Sequence, residues 1–175
     1  MTSLFTRRPT KIRSAPQPPV AEALPEKTPL TNRISYQLAM LAGLIDRQST
    51  RILAPHGLNL VRWRILTSID HFSACTLTQL LPHAAVDRAL VCREIARLEE
   101  AGLIHSVTDP ADRRRKTLSL TKTGASLHKR ALRDIMKRQA LLSEALNAEE
   151  HLAFTTITKK LQTVIKTDID RREQS

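Results

Sequence analysis

The chain has 175 residues and a formal net charge of +11, with 28 Lys and Arg against 17 Asp and Glu, so it is long enough for one core but not two independent domains, and its charge points to a polyanionic partner. One Trp, one Tyr, three Phe and four Gly exclude an aromatic stacking platform for single strands and a glycine-rich phosphate loop. The longest apolar run, near residues 38–45, is too short for a membrane span and contains Gly43, so no membrane partner is expected.

The first 29 residues hold six of the nine prolines, together with Arg7, Arg8, Lys11 and Arg13, and are expected to form a disordered basic tail. No apolar segment follows Arg7-Arg8, so an export signal is not expected there. A basic arm touching phosphate and an inert solvated tail both stay open. A helix is predicted over about 30–54, where Ile34, Leu38, Leu41 and Ile45 recur three and four apart. Farther on, Thr76 and Gln79 have the spacing of a capping box, in which each side chain satisfies the other's backbone N–H, and Pro82 limits that helix to about two turns. A second helix is predicted from Val86 or Asp87 to Gly102, a residue suited to a left-handed C-terminal stop. Val91, Ile95 and Leu98 form its buried stripe, leaving Arg88, Cys92 and Arg93 on other faces and Arg97 one turn farther along.

Residues 109–120 read as the tip and returning strand of a β-hairpin. Asp109-Pro110 supplies the turn, and four consecutive cations, Arg113, Arg114, Arg115 and Lys116, lead into a strand that alternates Leu118 and Leu120 inward with Thr117 and Ser119 outward. Alone, such a run is as consistent with a solvated loop as with a probe for phosphate or a minor groove. After the hairpin, a long helix to about Leu146 carries Leu127, Ala131, Leu132, Ile135 and Leu142. A last helix, with Asn147 as its N-cap, carries Phe154, Ile157, Leu161 and Val164.

The expected fold is therefore mainly α with a small β-hairpin wing: a winged helix-turn-helix over about 58–123, within a domain spanning 30–170, flanked by dimerisation helices over about 30–54 and 124–170. A helix-turn-helix reader works as a two-fold dimer so that two recognition helices meet successive major grooves about 34 Å apart. The recognition-helix candidates are Arg88, Ala89, Leu90, Cys92, Arg93 and Arg97. Those of the wing are Asp112, Arg113, Arg114, Arg115 and Lys116, and Thr76 and Thr78 are candidates for phosphate contacts.

From Trp63 to about Thr123 the sequence resembles the MarR family of transcription regulators without a gap. The resemblance is carried by Trp63-Arg64-Ile65-Leu66, Thr76-Leu77-Thr78-Gln79-Leu80, Asp87-Arg88, Val91, Arg93, Arg97-Leu98-Glu99 and Gly102-Leu103-Ile104. It continues through Asp109-Pro110-Ala111-Asp112-Arg113-Arg114 and Leu120-Thr121-Lys122-Thr123-Gly124. What it implies is a homodimer with intertwined first and last helices on a pseudo-palindromic double-stranded operator, acting by default as a repressor. It further implies that Asp112 orients Arg114 into the minor groove, and that a small aromatic or anionic effector binds in a crevice near Tyr36, His56, Trp63 and Arg64. Trp63 also reads as a core residue, and His56 as a loop residue. The sequence departs from the family pattern at Ala85, where Gly is usual, at Leu90, where Thr or Ser is usual, at Cys92, often Ser, and at Pro82. Leu90 suits contact with a thymine methyl, which makes an atypical operator the expectation.

Two cysteines in a chain expected to be cytoplasmic form no disulfide framework. Cys75, where the family has Leu, reads as a small buried hydrophobe, and Cys92 as a groove-facing substitution, with a redox switch the less favoured reading. His71, His83, His105 and His128 lack the spacing of metal ligands. No catalytic or nucleotide-binding motif is present, so no cofactor and no enzymatic activity are expected. The alternative function is a low-specificity architectural or RNA-associated winged helix.

Overall fold

The computed structural model describes residues 29–108 and 116–174. The tail expected over residues 1–29, apart from Pro29, and the wing tip with Asp112 to Arg115 lie outside the described residues. Among the described residues six helices, α1 (Ile34–Leu53), α2 (Leu60–Phe72), α3 (Leu77–Ala84), α4 (Arg88–Glu100), α5 (Lys122–Glu144) and α6 (Ala148–Glu173), accompany three strands, β1 (Cys75–Thr76), β2 (Ile104–Thr108) and β3 (Lys116–Leu120). The predicted first helix is a 3-10 turn at Leu30–Asn32, then α1, then a second 3-10 turn at Ala54–His56. A boundary between two compact units falls at Met40 and Leu41, inside α1. In the first unit Gln37 Nε2 donates to the Thr31 carbonyl at 2.8 Å, while Leu30, Ile34, Tyr36 and Leu38 are exposed.

The core of the second unit gathers Leu53, Leu58, Trp63, Ile65, Leu66 and Ile69 with Leu80, Val91, Leu98, Ile104, Leu118, Ala131 and Ile135. Local chemistry sets the helix starts. Asn59 Oδ1 accepts from Arg62 N at 2.8 Å to open α2, and Asp87 Oδ1 accepts from Leu90 N at 2.8 Å to open α4. The capping box of α3 is formed: Thr76 N–H donates to Gln79 Oε1 at 2.9 Å, and Gln79 N–H donates to Thr76 Oγ1 at 3.4 Å. Pro82 lies within α3, which stops after eight residues. Its stop uses a left-handed residue after all, since Ala85 adopts φ 55° and ψ 33° without glycine's freedom. Helix α4 ends where Gly102 takes φ 65°. There Leu103 N–H donates to Leu98 O and Gly102 N–H to Glu99 O, both at 2.9 Å, which is the Schellman arrangement.

The wing is larger than the two-stranded hairpin read from the sequence. Strand β1 joins it, giving an antiparallel order β1-β3-β2 in which Leu118 faces Cys75 on one side and Ser106 on the other. Leu118 is buried, Leu120 and Ser119 are half-buried, and Thr117 is exposed, so the predicted alternation holds at its centre. A two-residue strand has no period to read, which is why β1 escaped notice.

The C-terminal helices differ from each other. Helix α5 buries Ala131 and Ile135 and half-buries Leu127 and Leu132, whereas Leu142 is exposed. Helix α6 begins with the expected Asn147 cap, reinforced by Glu150, yet buries no residue in the single chain. Phe154, Ile157 and Val164 are exposed by 51%, 55% and 67% and Leu161 is half-buried, so most of its apolar stripe is uncovered among the described residues.

Candidate nucleic-acid interface

Helix α4 is anchored by Val91 and Leu98 in the core, which turns Arg88, Ala89, Cys92 and Arg93 outward, all exposed. Leu90 is half-buried, and its N–H is held by the Asp87 cap. Among the described residues neither Arg88 nor Arg93 is paired with a carboxylate, so both cations face outward uncompensated. Arg97 differs. Its Nη1 donates to Glu94 Oε1 at 2.6 Å, and the other carboxylate oxygen accepts from Arg62 Nε at 2.5 Å. Glu94 lies in the core, only 3% exposed. Burial opposes its ionisation, but hydrogen bonds and charge from Arg62 and Arg97 outweigh that and hold its carboxyl below the ordinary carboxylate value. Sequence reasoning missed Arg62 and Glu94. The signal was there in the spacing, since Glu94 sits three residues after Val91 and four before Leu98 and so falls on the apolar stripe.

A cleft of about 640 Å³ opens between α3, α4 and the sheet, lined by residues that include Thr76, Thr78, Arg88, Cys92, Glu99 and Lys116. The structure thus brings the two threonine candidates, two recognition-helix candidates and the one described wing candidate onto a single concave surface. The Thr76 hydroxyl is already engaged with Gln79, whereas Thr78 is exposed. Lys116 is exposed at the start of β3, opposite Thr108. Cys92 lies open on this surface, while Cys75 is buried and its thiol pKa is raised by that burial. Among the described residues no group of three His, Cys, Asp or Glu could hold a metal ion.

Of the effector-crevice candidates, three belong to the second unit, His56, Trp63 and Arg64. Trp63 and Arg64 line a cavity of about 370 Å³ with Thr67, Ser68, His71 and His83 among its walls. Trp63 is a core residue, 8% exposed, stacked on His128 at 5.0 Å. Arg64 reaches Asp46 at 3.2 Å and the Ala84 carbonyl at 3.4 Å. His56 is drawn instead to α5, its Nε2 3.0 Å from Asp134. Tyr36 is an exposed residue of the first unit. A buried imidazole not singled out from sequence, His128, joins α5 to α2: its Nε2 is 3.3 Å from Thr67 Oγ1 and its Nδ1 3.6 Å from Asp70. Burial lowers the His128 pKa, and the Asp70 charge only partly opposes that.

The turn from β3 to α5 fixes the back of α4. Thr121 Oγ1 donates to Gly102 O at 2.7 Å, Thr121 N–H donates to Leu103 O at 3.0 Å, and Gly124 N–H donates to Thr121 Oγ1 at 3.0 Å.

Residues 58–116 match the model of the MarR family. The HTH-type transcriptional repressor NicR of Pseudomonas putida is 30% identical over 104 residues, which cover 55% of this chain and 66% of that protein. The chain spans about half to two thirds of the length of this and two other curated relatives. A cysteine-to-serine mutant of Escherichia coli MarR, complexed with operator DNA, superposes with a TM-score of 0.67 at 23% identity, covering 77% of this chain and 99% of that one. Bordetella bronchiseptica BpsR, whose DNA binding is regulated by 6-hydroxynicotinic acid, superposes with a TM-score of 0.67 at 22% identity, covering 75% and 94%. At these identities the two structures show a shared fold.

Proposed function

Because residues 58–116 match the model of the MarR family, we propose that the chain is a dimeric, sequence-specific regulator of transcription that binds double-stranded DNA through α4 and the wing. The observation that carries this reading is the outward face of α4. Two uncompensated arginines, Arg88 and Arg93, flank Cys92 on a helix whose opposite face is locked into the core. A rigid helix offering guanidinium groups, thiol and methyl groups is equipped to read base edges in a major groove, where an arginine pairs with guanine O6 and N7. Phosphate contacts from Thr78, Lys116 and the arginines Arg113 to Arg115 supply most of the affinity, and Asp112 orients Arg114 toward the minor groove.

The uncovered stripe of α6 supports a homodimer, since a helix with no buried residue needs a second copy over its apolar face. The protein acts as a cytoplasmic repressor, without enzymatic activity. An aromatic or anionic effector in the cavity beside Trp63 and Arg64 releases it from DNA, and a coupling of about 1–3 kcal/mol is enough for that release.

Footprinting on the DNA upstream of its own coding region tests the reading. A protected pseudo-palindrome with half-sites about 34 Å apart is expected, and uniform protection without boundaries would overturn it. On that duplex, Arg93→Ala is expected to lose about 1–3 kcal/mol of base discrimination.

A further inference from the structure

We infer that Glu94 and Arg62 are positioning residues for DNA reading: they fix the rotation of α4 and withhold the charge of Arg97 from the backbone. This rests on the reading of α4 as the recognition helix. Arg62 belongs to the first turn of α2, where Asn59 caps the helix, and so to an element anchored in the core by Trp63, Ile65, Leu66 and Ile69. Its guanidinium reaches across to α4 and meets one oxygen of a carboxylate that is 4% exposed, while Arg97 of α4 itself takes the other oxygen. The carboxylate is therefore saturated by two cations on two sides. Because each bond is charge-assisted and directional, rotating α4 about its axis would strip Glu94 of a partner inside the core, where an unpaired charge is costly. Burial of Val91 and Leu98 alone would tolerate small rotations, since apolar contact has no direction. The outward groups Arg88, Cys92 and Arg93 inherit the register that Glu94 imposes.

The same geometry distinguishes Arg97 from Arg93. With its Nη1 on Glu94, Arg97 is an arginine of the presented helix whose charge is already spent, although its side chain is 58% exposed. Released, it would become another phosphate ligand without sequence preference.

The test uses the full chain, the duplex its footprint defines and a scrambled duplex of equal length, with thermal unfolding recorded on the same samples. Glu94→Gln is expected to weaken binding to the footprinted duplex and strengthen binding to the scrambled one, narrowing their ratio about tenfold. The slope of log affinity against log salt on the scrambled duplex should steepen by about 0.9 as Arg97 takes up a phosphate. A merely structural role would lower both affinities together, and that result overturns the inference. The double variant Arg62→Leu with Glu94→Leu removes the carboxylate with its partner on α2 and leaves only Arg97, whose side chain is 58% exposed, so no unpaired charge stays in the core and the fold is retained while the ratio narrows in the same way. Parental discrimination in the double variant overturns the proposal alone. A parent that fails to discriminate between the duplexes overturns the reading beneath it as well.

Discussion

Gly124→Ala isolates the joint between α4 and α5. A Cβ at residue 124 would lie 1.9 Å from the Leu103 carbonyl oxygen, 2.8 Å from its carbon and 3.3 Å from its Cα. These are backbone atoms at the start of β2, held by Leu103 N–H to Leu98 O at 2.9 Å, so no side-chain rotation relieves the overlap. The turn must open. Opening it removes the hydrogen bonds from Thr121 to Gly102 O and Leu103 O, each about 1 kcal/mol, and disturbs the Thr121 cap of α5, about 1 kcal/mol more. Alanine's better helix propensity returns at most about 1 kcal/mol. The net loss is about 2–3 kcal/mol, or roughly 5–10 °C in Tm for a chain of this size. Thermal unfolding followed by circular dichroism at fixed protein concentration measures it, with Gly102→Ala as the comparison. That position has open space around it and only a positive φ of 65°, so its cost is about 1–2 kcal/mol. A Gly124→Ala variant melting with the parent, or above Gly102→Ala, would refute the argument.

Ala85→Gly relieves the left-handed residue between α3 and α4 and should stabilise the protein by about 0.5–1 kcal/mol, the strain removed exceeding the entropy added to the unfolded chain; an unchanged or lower urea midpoint would count against strain at that turn. Stability should also fall with acid in two windows. His128, lowered below its usual value of 6.5 mainly by burial, binds fewer protons in the native state, so its contribution is complete above 6.5 and is lost as pH falls through the native value. Glu94, despite burial, is held below its usual value of 4.5 by Arg62 and Arg97, and its contribution is lost below that pH. Urea midpoints across pH 3–8 (roughly, spanning both groups) read both steps, and His128→Leu should abolish the upper one only. Finally, Ile157→Asp on the uncovered stripe of α6 should shift sedimentation from dimer to monomer, whereas an unchanged dimer would place the interface elsewhere.

Much of the fold was legible because its signals are local. The capping pairs Thr76 with Gln79 and Asn147 with Glu150, the Asp87 cap and the Gly102 stop each need only neighbours within a turn, and each is formed. What escaped depends on partners distant in sequence. The spacing puts Glu94 on the buried stripe, but its partner Arg62 lies thirty-two residues away and no local pattern names it. The stacking of His128 on Trp63 and the crowding of Gly124 by Leu103 likewise join residues that no local pattern links. His56, which the resemblance puts near the effector crevice, meets the Asp134 carboxylate of α5, seventy-eight residues away. Of the recognition-helix candidates, α4 carries all six, yet only the ion pair with Glu94 reveals that Arg97 is unlike its neighbours.

On the reading proposed above, α4 recognises sequence as well as charge. Its most direct test is a pair of equilibrium titrations, by fluorescence anisotropy, of the full chain on the footprinted duplex and on a scrambled duplex at matched salt. A preference of at least about 10³ for the footprinted duplex is expected, reduced but not abolished by raising salt. Equal affinities that fall together with salt would mean that the arginines see only phosphate, and the account would be wrong.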